Sequence, residues 1–471
     1  MKWYVGALLL LLAALVLQSG LLAYAMYVLL GVLIVTRVLA RRWINHLHAT
    51  RHCASTTAAI GERVAVTVTV RNDGGLPVPW VLLEDLLGKA ALAQRPPRLT
   101  VQGKRLLIAL LRAGKEATLR YRVVPQMRGY YRLGPVLLET GDLFGLHRRF
   151  RIEGEPSYLL VYPRMVPLGG YDIASRRPIG DVRLTHRLYE DPTRIAGVRP
   201  YQAGDPLNRV HWGATARTGQ LHSKVYEPST LSGATVLLDF HEGGYHRQGE
   251  PYRSELAVTA AASLANAVYL TGQQVGLITN GRDAAERMKR EVTEGEFRTR
   301  RAARQTASEE EESERLRPLV VETRRGVEQL QKIREVLARV ELGDGLTFAR
   351  LVAETASRLP RDATVIAVLA DVLAETAIAL GNLRRLGFAV TVVLVMFDGG
   401  RLERAIGRLL AEGVRDVRHL RDEPSLSALC QQQVLGAGVL DLGSADTASP
   451  FGEASAEWAQ RTPYGLGSPP E

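Results

Sequence analysis

The sequence predicts an α+β multidomain protein: an N-terminal transmembrane helical hairpin, then a β-sandwich, then an α/β domain built on a parallel sheet. Three observations carry this. Two apolar runs open the chain, a middle stretch alternates apolar and polar residues, and from Ala234 short strand-like runs alternate with helix-like ones. With 471 residues and 46% hydrophobic content, the chain exceeds one ordinary domain and has material for real cores.

The hairpin is predicted over residues 1–43. Its apolar runs, Trp3–Leu17 and Leu21–Leu39, are separated only by Gln18-Ser19-Gly20. A bilayer core takes roughly 17–25 apolar residues per helix, so the second run fits and the first is somewhat short. Trp3 and Tyr4 suit the interface belt. Lys2 precedes the first run, and Arg37, Arg41 and Arg42 lie at or beyond the end of the second. The positive-inside rule then puts both ends, and all that follows, in the cytoplasm. A signal peptide cleaved after Ala23-Tyr24-Ala25 would leave a second apolar run ending in Arg41-Arg42-Trp43, which favours the hairpin.

Residues 44–165 read as the sandwich. Arg63–Asn72, RVAVTVTVRN, has the period of a half-buried strand, and Asp73-Gly74-Gly75 follows as a turn. Further extended pieces punctuated by Gly and Pro bring the expected total to about seven strands. Trp80 is expected in the core.

Residues 234–444 read as the α/β domain. ATVLLDF ends a buried strand at Asp239; Ser254–Leu270 has helical spacing; QVGLITN is a strand. Helices near Val327–Val340, Phe348–Leu359, Ala374–Leu386 and Leu402–Gly413 alternate with strands at Ala363–Asp371 and FAVTVVLVMF. Such alternation implies a parallel sheet covered on both faces, with ligands at the carboxyl ends of its strands. The insert 282–317 runs from basic to acidic and has too few apolar residues to offset the entropy of ordering. The tail 445–471, rich in Ser, Gly and Pro, reads as disordered.

The net charge is +11, but no basic stripe interleaved with aromatics accompanies it, so nucleic acid is not an expected partner. The two cysteines, Cys53 and Cys430, match no zinc spacing and read as ordinary thiols.

Between sandwich and α/β domain, residues 166–233 form a linking segment with GVRPYQAGDPLNRVHWGATARTGQLHSKVYE at its heart. Asp205, His211 and His222 are candidates for acid–base work, and Ser223 is the nearest hydroxyl. No G-x-S-x-G elbow, H-E-x-x-H or P-loop supports a hydrolytic site. The structural alternative pairs Asp205 with Arg209 or Arg217 and buries the ring of Trp212, making a polar staple or docking face of Tyr201, Gly204, Asp205, Pro206, Arg209, His211, Trp212 and Arg217. A second candidate lies at the strand ends. Asp239 and Asp371 each close an apolar strand, and Thr347 precedes a helix on the same edge, giving hard oxygen ligands of the kind magnesium takes. Helix capping is the alternative role for the two carboxylates.

The Y-x-x-G-D-P-x-x-x-x-H-W run and the A-R-x-G-x-L after it resemble the signature of the bacterial "domain of unknown function 58" family. R-G-x-Y-x-L-G-P and D-x-F-G-L upstream are similar to that family's sandwich ending. The resemblance implies two membrane helices, a β-rich region, the signature and a von Willebrand A-like (Rossmann-type) α/β domain. Domains of that kind often bind magnesium through D-x-S-x-S, a loop Thr and a later Asp. Asp239, Thr347 and Asp371 stand at matching places, while His241 and Gly243 replace the two serines, which implies a degenerate site. The resemblance also implies a MoxR-type AAA+ ATPase as partner. The expectation is a membrane-anchored, non-enzymatic adaptor with no required cofactor. The alternatives are a hydrolase-like enzyme using Asp205, His211 and His222, and a divalent-metal-dependent ligand-binding module using Asp239, Thr347 and Asp371.

Overall fold

The computed structural model describes residues 7, 9–13, 16, 20–88, 92, 96–142, 145, 147–169, 190–202, 209–228, 233–246, 249–293, 316–360 and 363–431. The chain divides into two compact units, Met1–Pro163 and Arg164–Glu471.

In the first unit, α1 (Gly20–Asn45) is the one helix among the described residues long and apolar enough to cross a membrane. Of the first apolar run, residues 7, 9–13 and 16 are described, and all are helical. A pair of spanning helices is therefore not supported; a single one is. Most apolar side chains of α1 are exposed between Leu21 and Val38, as a lipid-facing helix requires. Its last turn changes character: Ala40 and Ile44 are buried, and Ile44 packs in the sandwich core beside Trp43.

Ten strands follow rather than about seven. They are β1 (Leu47–Cys53), β2 (Thr57–Ala59), β3 (Val64–Asn72), β4 (Val78–Leu87), β5 (Leu99–Gln102), β6 (Leu106–Leu111), β7 (Glu116–Pro125), β8 (Gly129–Gly141), β9 (Arg148–Glu153) and β10 (Ser157–Tyr162). One sheet has the order β1-β3-β7-β5 and the other β2-β10-β8-β4-β6, with β9 paired to β8. In β3 alternation places Val64, Val66, Val68 and Val70 in the core, as the period predicts. Trp80 is half-buried, and its indole N–H donates to the Asp142 carbonyl at 3.3 Å.

A charge sits inside this apolar sandwich. Asp85, with no exposed surface, accepts from Arg51 Nε at 3.0 Å, from Arg51 Nη2 at 2.5 Å and from the Tyr121 hydroxyl at 2.7 Å. Arg51 Nη1 donates to the Leu133 carbonyl at 2.7 Å. The group therefore ties β1, β4, β7 and β8 together. Burial and the adjacent Asp85 charge push the Tyr121 phenol far up, so it stays a donor.

The second unit begins its described strands with β11 (Glu190–Pro200) and β12 (His222–Pro228), an antiparallel pair flanking the short helix α2 (Trp212–Thr218). Then come β13 (Gly233–Leu238), α3 (Tyr252–Leu270), β14 (Gln274–Thr279), β15 (Arg282–Asp283), α4 (Ala284–Thr293), β16 (Leu319–Arg324), α5 (Val327–Arg339), β17 (Val340–Glu341), α6 (Phe348–Thr355), β18 (Ala363–Leu369), α7 (Ala374–Arg385), β19 (Val390–Val395), α8 (Gly399–Ala411), β20 (Asp416–Leu420) and α9 (Glu423–Leu426). The main sheet runs β16-β14-β13-β18-β19-β20, parallel except for the β16 edge. Within the unit that is the doubly wound order 3-2-1-4-5-6, whose switch point falls between β13 and β18. The period of two splits the side chains of β13. Val236 and Leu238 join one core with α3 and α5, and Leu237 joins the other with α6 and α7.

Two local expectations change. The edge strand β16 lies in RPLVVETRR, where the charged flanks hide a pairing that only β14 supplies. The start of the charged insert is ordered: Arg282-Asp283 pairs with Val340-Glu341, and Arg287 on α4 holds Glu341 at 2.8 Å. Residues 294–315 and the tail 445–471 lie outside the described residues.

Removing one partner of a buried ion pair strands the other charge, at a cost of about 3–5 kcal/mol. Arg51→Ala is therefore expected to lower unfolding stability by that order, and Arg51→Met combined with Asp85→Leu by clearly less. Chemical denaturation of the three proteins reads the difference.

Candidate functional site

In the signature segment the strongest local organiser is a histidine cap. The His211 Nδ1 accepts from the Ala214 amide at 2.9 Å and starts α2, and Gly219, at φ +71°, ends it by donating to the Thr215 carbonyl. A side-chain acceptor at the N-cap satisfies an amide that has no partner in the helix, and a left-handed glycine closes the other end. The His211 amide donates to the His222 carbonyl at 2.8 Å, and the Tyr201 amide to the Leu221 carbonyl at 2.8 Å. The His222 Nδ1 lies 3.1 Å from Thr218 Oγ1 and 2.8 Å from the Gln220 carbonyl.

The two imidazoles thus serve the turn at either end of α2, each bound to its near sequence neighbours. Ser223 is buried, and among the described residues its hydroxyl has no hydrogen-bond partner and no base. Gly204, Asp205 and Pro206 lie outside the described residues, and so does any pairing of Asp205 with Arg209 or Arg217. The expectation that Trp212 buries its ring is corrected: it is 70% exposed. It occupies the first turn of a helix that has no buried residue. Arg217 is exposed and Arg209 half-buried.

The second candidate site is the carboxyl edge of the main sheet at its switch point. Asp239 follows β13 and is buried. Its carboxylate accepts from Asn280 Nδ2 at 2.9 Å and from the His241 amide at 3.3 Å. Asn280, just past β14, accepts in turn from the Phe240 amide at 2.6 Å and donates to the Leu346 carbonyl at 2.9 Å. One side-chain amide therefore joins two strand ends to the loop before α6. Burial pushes the Asp239 carboxyl up from its ordinary range against the pull of those hydrogen bonds and of His241, and Asp371 pushes it further. Thr347, at the N-cap of α6, is exposed and its side chain caps no amide. The His241 Nδ1 accepts from the Gly243 amide at 3.1 Å, folding this stretch into a turn.

Asp371, beyond β18, accepts from its neighbour Val372 at 2.9 Å and pairs with Arg401 at 3.5 Å. Arg401 sits near the start of α8. Behind it lies Arg253, on the first turn of α3 and with no exposed surface. Arg253 Nε donates to the Val395 carbonyl at 3.2 Å and Nη2 to the Ala370 carbonyl, while Nη1 is buried without a partner. Burial and the neighbouring Arg401 charge push its guanidinium down. The Phe397 ring lies 5.5 Å from the Arg253 guanidinium carbon and 5.9 Å from that of Arg401. Met396, with φ +51°, makes the left-handed turn that precedes this ring. The Phe397 amide donates to His419 Nε2 at 3.2 Å, and burial together with Arg421 holds His419 down to about 4.

This donor set does not fit a divalent ion. One carboxylate is buried and already hydrogen-bonded; the other faces an arginine. His241 and Gly243 replace the hydroxyl ligands that the resemblance implies. Among the described residues no three His, Cys, Asp or Glu side chains are grouped to hold a metal. Burial pushes both free thiols, Cys53 and Cys430, up as well, against a nucleophilic role. The sequence reading missed Arg253, Asn280, Phe397 and Arg401. Arg253 carried a signal: Leu256, Ala257 and Ala260 at i+3, i+4 and i+7 are core residues, so an arginine stood on the buried face of its helix.

Residues 197–395 match the family described as "Protein of unknown function DUF58". The "Uncharacterized protein YeaD" of Bacillus subtilis (strain 168) is 26% identical over 269 residues, covering 56% of this chain and 64% of that protein. The chain thus spans a little under two thirds of the curated relative it matches. Together these findings support the DUF58 family. Among solved structures, the CARDB domain of the PF1109 protein from Pyrococcus furiosus is 16% identical, with 24% of this chain and 91% of that one covered at a TM-score of 0.16. The trypsin-activated alpha-2-macroglobulin of Escherichia coli is 14% identical, with 26% and 7% covered at 0.20. Scores at this level carry no argument about fold or function.

Two pH effects of opposite sign follow. Asp239 is raised in the fold, so the stability it contributes is full below its ordinary value of 3.8 and is lost as pH rises through the raised one. Asp239→Asn should therefore stabilise the protein relative to wild type at pH 8 and not at pH 3, as read by denaturant unfolding. His419 is lowered, so its contribution is full above 6.5 and is lost as pH falls toward about 4. The loss is on the order of 2 kcal/mol, and His419→Gln should flatten that acid limb.

Proposed function

We propose that this protein is a membrane-anchored, non-enzymatic interaction protein that works with a MoxR-type AAA+ ATPase. In this reading α1 is the anchor, the preceding apolar run is the second arm of a hairpin, and the bulk of the chain faces the cytoplasm. The α/β unit is a von Willebrand A-like body; its 3-2-1-4-5-6 strand order with one antiparallel edge supports that assignment. The single observation that carries the reading is Trp212. A tryptophan 70% exposed on a short, capped helix is unfavourable in water and suits a surface that another protein covers. Arg217 on the same helix adds a basic, bidentate-capable neighbour.

The hydrolase-like alternative asks His211 and His222 to act together. His211 already spends its Nδ1 on the α2 cap and His222 holds its own turn, which favours docking over catalysis.

The test is retention of the detergent-solubilised full chain by a MoxR-type ATPase with and without ATP. Nucleotide-dependent binding is expected, and Trp212→Ala should weaken it by about 2 kcal/mol, roughly thirtyfold in Kd, with the melting temperature unchanged. Equal retention in both nucleotide states, or none, refutes the partnership.

A further inference from the structure

The outer face of the second sandwich sheet is unusually apolar. Along β9, Phe150 is 74% and Ile152 58% exposed, and across the sheet Ile108 on β6 is 63% exposed. Antiparallel sheets that face water on one side normally alternate to polar residues there. Arg148 and Arg149 precede Phe150 on the same strand; Arg148 shares its face and pairs with Glu139 at 3.7 Å, while Arg149 lies on the other face.

The position of β9 relative to α1 says what meets this edge. The last turn of α1 packs against β8 and β9 within the same compact unit. Glu153 accepts from the Ala49 amide at 2.9 Å and pairs with His48. Arg151 Nη1 donates to the Asn45 carbonyl at 3.4 Å. Walking backwards along β9 from Glu153 to Arg148 therefore means walking back along the chain from β1 into α1, toward the lipid-facing part of that helix. At about 3.3 Å per strand residue, Phe150 lies ~3 Å and Arg148 ~10 Å beyond Arg151 in that direction. At about 1.5 Å per helical residue, Arg41 and Arg42 lie ~5–6 Å from Asn45. Positions 150 to 148 thus bracket the level of the arginines that end the apolar part of α1.

We propose that the β9 edge is a membrane-interface contact: Phe150 enters the headgroup layer of the bilayer that holds α1, and Arg148 and Arg149 bind anionic headgroups beside Arg41 and Arg42. This rests on the membrane-anchor reading of α1. The occupant is lipid rather than protein because this strand runs beside the helix read as the anchor and carries cations, which an anionic leaflet attracts. Ile152, two residues further from α1, marks the outer limit of contact.

The test uses the full chain in a Cys53→Ser, Cys430→Ser background carrying one nitroxide, through Phe150→Cys, Ile152→Cys, Arg63→Cys or Val28→Cys. Arg63 immediately precedes β3, at the end of the sandwich away from α1, and Val28 lies mid-helix. Each protein is placed in vesicles of phosphatidylcholine with or without phosphatidylglycerol. Collision with a water-soluble nickel complex is expected to fall in the order 63, 152, 150, 28. Phosphatidylglycerol should lower it at 150 by about fivefold more, in line with ~1 kcal/mol for one basic side chain at the surface. A position 150 as accessible as position 63, while position 28 is shielded, overturns the proposal and leaves the anchor standing. Exposure at position 28 overturns both. Shielding at 150 that disappears when the protein is diluted in excess lipid assigns the face to a second copy and likewise overturns it.

Discussion

Arg253 places a guanidinium where water does not reach, and the carboxyl edge of the α/β unit is arranged around it. Its bonds go to the carbonyls at the ends of β18 and β19, the two strands on one side of the switch point. A buried cation held by backbone dipoles and an aromatic face, without a bonded carboxylate, fixes helix α3 to those strands and requires the Phe397 ring to stay in place. Met396 takes a left-handed backbone to allow it. Arg401 stands in front, and Asp371 pairs with it at 3.5 Å. The chemistry of the edge follows from that arrangement: cationic side chains of the protein stand where the resemblance implies a metal.

The sandwich solves a similar problem in another way. Arg51 has a full counter-charge in Asp85, and Tyr121 supplies a further donor, so every member of the group is satisfied and four strands are registered by it. The two buried arginines differ in what surrounds them. The one in the sandwich is closed. The one at the switch point keeps a nitrogen without a partner and faces the groups exposed at the sheet edge. Structural rigidity accounts for the first; the second stands next to the surface through which an α/β body ordinarily meets its ligands.

The signature segment takes its shape from short-range bonds. His211, Thr215, Thr218 and His222 cap or hold turns within a few residues of themselves, and they leave Trp212 and Arg217 projecting from α2. A reactive-looking composition thus becomes a small presented helix. At the other end of the chain, α1 is apolar and exposed along most of its length and packs on the sandwich in its last turn.

The sequence by itself determined what depends on local period and local turns: the long apolar helix, the alternation in β3, the buried runs of β13 and β18, and the order of sandwich before α/β. It also put Asp239 and Asp371 on one sheet edge, since both follow parallel strands. Only the tertiary structure decided what those carboxylates meet. Asn280, Arg253 and Arg401 come from 41, 14 and 162 residues away from Asp239 along the chain, and no local period links them. The edge strand β16 and the exposure of Trp212 were hidden for the same reason. Strand pairing and burial are properties of the surfaces that distant segments bring together, whereas a sequence window reports only its own periodicity.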